Sequence, residues 1–188
     1  MANTTIKLTL LLSILSLISA HAATQCHQKL EKFTRFHFYV QDILEGPNAT
    51  VWEVGHAERT PNSPSYFGIV RVIDNLMTAK PDYYSRKVGR AQGLLAFTDL
   101  QEMAVTSNIN FYLTGGKYDG STVCIVGRIP LAGDFAKEIP IVGGTGAFRM
   151  ARGYALLRTY SFDHTINYGV LEYTLNVYYV EEHLNSVV

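Results

Sequence analysis

The sequence predicts an all-β protein, an eight-stranded antiparallel β-barrel with an interior ligand pocket. Three observations carry that expectation. Eight short runs of strand-forming residues follow one another with turn residues between them, and almost no stretch has helical periodicity. Twelve Tyr and nine Phe against one Trp make an aromatic load suited to strands or to a pocket. At 188 residues, 47% apolar and 17% charged, the chain is one domain with a real core rather than a disordered segment. Closing eight strands removes open sheet edges and leaves room for one small ligand. A β-sandwich is the competing architecture.

The elements follow in order. Phe36, Phe38 and Val40 alternate with Arg35, His37, Tyr39 and Gln41, the period of a strand with one buried face. Further strands are expected at Val51–Gly55, Tyr66–Ile73, Gln92–Thr98, Ser107–Leu113, Ser121–Arg128, Phe148–Tyr160 and Gly169–Val180. Gly46-Pro47-Asn48, Pro61-Asn62-Ser63-Pro64 and Tyr118-Asp119-Gly120 supply turn chemistry between them. Gly143-Gly144-Thr145-Gly146 reads as a tight turn, since no Gly-Lys-Ser/Thr follows to make a phosphate loop. Lys137 and Glu138, ahead of Ile139-Pro140-Ile141-Val142, read as a solvated loop.

Residues 1–22 stand apart from residues 23–188, the expected barrel domain. Lys7, the apolar run Leu8–Ile18 and then Ala20-His21-Ala22 have the order of a secretory signal with a small-x-small cleavage site. A helix of that run spans roughly 16 Å, about half a bilayer core, against the alternative of a membrane anchor. Secretion to the extracellular space makes Asn48-Ala49-Thr50 a glycosylation sequon in a turn, with Asn48 as acceptor. Cys26 and Cys124 either form one disulfide or remain thiols.

Charge and motif content exclude several functions. Lys plus Arg equals Asp plus Glu at 16 each, so there is no basic field for nucleic acid. No second segment suits a membrane span. The sequence has no Gly-x-Ser-x-Gly elbow, no His-Glu-x-x-His and only scattered histidines, so neither a metal site nor any other cofactor is expected. One group stands out. Asp42 continues the parity of Phe36, Phe38 and Val40, and if that face is the barrel interior, burial suits its carboxyl to hold or relay a proton. Otherwise the strand has ended and Asp42 begins the turn toward Gly46. Asp74 and Asp163 read as turn formers.

Several segments resemble the plant dirigent family: Phe36-His37-Phe38-Tyr39-Val40-Gln41-Asp42-Ile43, Val88-Gly89-Arg90-Ala91-Gln92-Gly93, and above all Ile139-Pro140-Ile141-Val142-Gly143-Gly144-Thr145-Gly146-Ala147-Phe148. The resemblance runs in order from about residue 33 to 180. It implies a secreted, glycosylated barrel of the apoplast that assembles as a homo-oligomer, a trimer or dimer. It also implies that a separate oxidase, a laccase or peroxidase, makes phenoxy radicals from a phenolic substrate such as coniferyl alcohol. The dirigent protein then sets the stereochemistry of their coupling to lignan-like products without oxidising anything itself.

The same resemblance assigns proton handling to Asp42 and places Lys137 approximately where lignan-forming members carry an arginine. Phe38, Leu95 and Phe97 become substrate contacts, with Leu95 and Phe97 where those members have two pocket tyrosines. Ile129 stands where they have a second aspartate. These departures leave the family and unsettle the lignan substrate. Other branches suggest the alternative of a dehydratase or cyclase that works through a quinone methide, and a third reading is a wall protein that binds a hydrophobic ligand.

Overall fold

A computed structural model describes residues 31–180. The expected signal segment and Cys26 lie outside the described residues. Nine strands follow in chain order: β1 Glu31–Ile43, β2 Val51–Gly55, β3 Val70–Thr78, β4 Lys87–Phe97, β5 Ala104–Leu113, β6 Thr122–Pro130, β7 Lys137–Thr145, β8 Arg152–Asp163 and β9 Tyr168–Val180. Neighbours in the sheet run β1-β9-β8-β7-β6-β5-β4-β3-β2, all antiparallel, and a further β1–β3 pairing closes the ring. Eight strands therefore form the barrel, and β2 is a flanking strand on β3. No helix among the described residues is long and apolar enough to cross a membrane.

The closure is thin. β1 pairs β9 along its whole length, Glu31 opposite Val180 to Ile43 opposite Tyr168, but it meets β3 only from Tyr39–Gln41 to Leu76–Thr78. The first half of β3 is taken by β2, with Val51 opposite Ile73. Gln41 reinforces this seam from outside the barrel, fully buried under the connection that follows β3. Its Nε2 donates to Thr78 Oγ1 at 2.7 Å and to the Pro81 carbonyl at 3.2 Å, and its Oε1 accepts from the Tyr168 hydroxyl. A buried amide costs stability unless its groups are paired, and here both its nitrogen and its oxygen are.

Alternation puts the even residues of β1 inside. Phe38 and Val40 are buried, and Phe38 packs with Phe111 and Tyr173 at ring separations of 5.1 and 5.8 Å. These three rings fill the middle of the barrel. A second aromatic group, Phe36, Tyr118, Phe148 and Tyr179, packs beyond them, with the Tyr118 and Tyr179 hydroxyls 2.9 Å apart.

Three sequence expectations change here. Lys137 and Glu138 open β7 rather than a loop, and Lys137 is buried. Pro140 disguises the strand, because proline removes a ladder donor. The fold accepts it where a bulge between Gly143 and Ile141 ends the pairing of β7 with β6. Gly143, Gly144 and Thr145 continue β7, and the turn comes just after, as a short 3-10 segment at Gly146–Phe148. Asp74 is not a turn former but a mid-strand residue of β3 whose carboxylate accepts from Arg90 Nε at 2.7 Å. Asp163 does end its strand and accepts from the Thr165 amide at 2.8 Å.

Candidate functional site

The strand does not end before Asp42. β1 runs on to Ile43, so the parity that buries Phe38 and Val40 carries the Asp42 side chain to the barrel interior. There it lines a cavity of about 320 Å³ beside the Phe38–Phe111–Tyr173 layer. The walls are mostly aliphatic and aromatic, with Leu95 and Phe97 from β4, Leu157 from β8 and Leu171 and Tyr173 from β9. Polar groups are few, and three of them come from the β1–β3 wall: Asp42, Asn75 and Arg71.

Asn75 fixes the acid. It sits on β3, almost fully buried, and its Nδ2 donates to Asp42 Oδ1 at 2.7 Å. Its own Oδ1 is buried with no partner among the described residues. Burial pushes the Asp42 carboxyl above its ordinary value, and the opposing pulls of the Asn75 amide and the Arg71 charge do not overcome it. A carboxyl so placed keeps its proton at a pH where an exposed aspartate has lost it. Tyr173 is pushed up as well, by full burial and then by the nearby Asp42 charge. The chemistry available is that of one proton-holding acid in an apolar chamber.

The predicted site residues separate into two groups. Asp42, Lys137, Leu95 and Phe97 come together on this cavity. Phe38 does not line it. It stacks against Tyr173, which does, and so supports the wall from behind. Lys137 enters from β7, its Nζ donating to the Gly133 carbonyl at 2.8 Å and lying 5.3 Å from the centre of the Phe135 ring. Ile129, the position without an acid, also lines the cavity. Asn48 lies apart from it, exposed in the turn between β1 and β2. Cys124 is a thiol whose Sγ donates to Asn110 Oδ1 at 2.8 Å.

Arg71 and Asn75 escaped the sequence reading. The signal that finds them is the same parity applied to β3, where Arg71, Ile73, Asn75 and Met77 share a face. Placing that strand at Tyr66–Ile73 cut the pattern short before Asn75.

The structure defines a class, a closed antiparallel barrel with one carboxyl facing an apolar cavity of small-molecule size. Comparison with known proteins narrows the class. The family model for dirigent-like proteins matches residues 33–178, and the chain belongs to the dirigent family. It is 40% identical over 171 residues to Dirigent protein 1 of Arabidopsis thaliana, covering 87% of this chain and 93% of that protein. It is 34% identical over 179 residues to Pterocarpan synthase 1 of Glycyrrhiza echinata, covering 93% and 95%. The solved structure of a pterocarpan synthase dirigent protein superposes with a TM-score of 0.75 at 36% identity, over 81% of this chain and 93% of that one.

Proposed function

We propose that this chain is a secreted dirigent protein that imparts stereoselectivity on the coupling of phenoxy radicals made by a separate laccase or peroxidase. The observation that carries this reading is Asp42, a desolvated carboxyl held by Asn75 in an otherwise largely apolar chamber. The oxidase removes one hydrogen atom from each of two phenols. The two radicals join by a new carbon–carbon bond, and each ring becomes a quinone methide. A side-chain hydroxyl then adds to the quinone methide carbon, giving up its proton while the quinone oxygen gains one.

Two roles fall to the protein. The walls around Leu95, Phe97 and Tyr173 cover one face of the aromatic ring, so that the partner approaches from the other. The Asp42 O–H donates to the phenoxyl or quinone oxygen, which fixes the ring's orientation and helps the closing step. A tenfold preference for one hand needs only about 1.4 kcal/mol between competing orientations, within reach of a few ring contacts and one hydrogen bond. The exposed Asn48 sequon fits a glycosylated, secreted homo-oligomer of the apoplast.

A second reading has its own support. At about 320 Å³ the cavity is at the small end of small-molecule sites, a size for one phenolic molecule rather than two in contact. In that reading a phenolic alcohol binds alone. Asp42 protonates the leaving hydroxyl and the carbon–oxygen bond breaks to release water, while the conjugated phenol gives up its proton, restoring the Asp42 acid and leaving a quinone methide. An internal phenol then adds to the quinone methide carbon, losing its proton as the quinone oxygen regains one. The 34% identical relative named as a pterocarpan synthase favours it.

One assay separates the two. With an oxidase and coniferyl alcohol, the first reading expects an excess of one enantiomer in the coupled product over the racemate made by the oxidase alone. With an isoflavanol-type alcohol and no oxidase, the second expects ring closure. A racemic product in the first arm together with turnover in the second would replace the first reading by the other.

A further inference from the structure

Asp42 and Lys137 both have hydrogen-bonding partners within the protein, but another charged group of the cavity does not. Arg71 lies half-buried on the interior face of β3 with its guanidinium 5.4 Å from the centre of the Phe97 ring. Among the described residues it forms no ion pair and no side-chain hydrogen bond. Its charge acts on Asp42 through space, but the two do not pair. At that distance the Phe97 ring attracts the guanidinium as a cation–π partner and helps to hold it in place. The result is a pre-positioned fork of N–H donors with no acceptor of its own, at a chamber whose other walls are mainly apolar.

The spacing along β3 is informative. Asn75, which holds Asp42, and Arg71 are four residues apart on one face, about 13 Å of strand, with Ile73 between them. A ligand lying along this wall meets a proton-holding acid at one end, an aliphatic surface in the middle and an unpaired cation at the other end. Lys137 does not duplicate that role, because its ammonium is already bonded to the Gly133 carbonyl. A planar fork matches a carboxylate through two parallel hydrogen bonds, which a neutral alcohol cannot offer.

We infer that Arg71 is the specificity-determining residue of the cavity, and that it selects a phenolic ligand carrying a carboxylate at the end remote from the phenolic oxygen. This rests on the proposed reading of the cavity as a phenol site. The favoured substrate class is thus a hydroxycinnamate-type acid, with its phenolic oxygen at Asp42, its ring against Ile73 and Leu95, and its carboxylate at Arg71.

The test is equilibrium binding at neutral pH without an oxidase, using ferulic acid and coniferyl alcohol, which share a ring and differ in the terminal group. The wild-type protein is expected to bind the acid at least tenfold more tightly than the alcohol. Arg71→Met should abolish that preference while leaving the affinity for the alcohol within about twofold, and Arg71→Lys should restore part of it as a point charge without the fork. Lys137→Met should keep the preference. Equal binding of acid and alcohol by the wild type, or an acid preference that survives Arg71→Met, overturns the assignment of Arg71 alone. Failure of both ligands to bind the wild type overturns the reading of the cavity as a phenol site, and this inference with it.

Discussion

In the proposed function the reactive group is a single acid, Asp42, and its properties come from its neighbours. Asp42→Asn preserves the shape of the side chain and replaces an acid by an amide that cannot transfer a proton. It should leave the fold intact and lower stereocontrol or turnover at least several-fold, toward the roughly 10²–10⁴ typical of a lost general acid. Lys137→Ala should cost less. Chiral analysis of the product, or the rate of ring closure, measures both, and full activity in Asp42→Asn would reduce Asp42 to a structural residue.

The sign of the pH dependence follows from the upward shift. The native carboxyl holds its proton above the ordinary value of 3.8, where the unfolded chain has already lost it. The associated stability is complete below that value and declines as pH rises toward the native value. Activity that needs the acid form falls over the same alkaline limb. Asn75→Leu removes a donor that stabilises the charged form, so the Asp42 carboxyl should titrate at higher pH still. Carbon-13 NMR of the Asp42 carboxyl follows this directly. A downward or absent shift would show that Asn75 does not hold the acid.

At the scale of elements, β7 shows how a strand can look like a loop. Pro140 and the two glycines that follow suggest a break, yet each suits its place. Pro140 sits where pairing with β6 has ended, and Gly144 lets β6 and β7 come close. A Cβ on Gly144 would lie 2.1 Å from the Thr122 carbonyl oxygen and 2.8 Å from Phe148 Cβ. Gly144→Ala therefore forces the strands or the buried Phe148 to move, at a cost of about 1–3 kcal/mol. Urea unfolding gives the value, and a midpoint equal to wild type would mean the strands have slack there.

For the whole molecule, eight strands close into a barrel while apolar side chains remain outside it. Leu94, Tyr112, Val126 and Val142, on the neighbouring strands β4 to β7, are all exposed. A band of this kind fits packing between copies of the chain, as the proposed homo-oligomer requires. Light scattering of the purified protein should give two or three times the mass of one chain. A monomer at micromolar concentration would count against the oligomer without touching the cavity chemistry.

Alternation within one strand is a local property, and the sequence by itself was enough for it. Phe36, Phe38 and Val40 point inward because successive side chains alternate, and Asp42 follows by counting. The turns that separate most of the strands, and the dirigent signature from Ile139 to Phe148, are local in the same way. Everything that depends on register waited for the tertiary structure. Asn75 meets Asp42 because β1 closes on the second half of β3, a pairing between segments more than thirty residues apart. Phe38 falls in the layer behind the cavity wall because Tyr173, from β9, stands in front. Lys137 became a cavity residue only once β7 paired with β8, and Arg71 came to lie by the Phe97 ring because β3 pairs with β4 in a register that sets Arg71 opposite Leu95, two residues from Phe97. Which face a residue takes is set by its own strand; what it meets there is set by the strands that close around it.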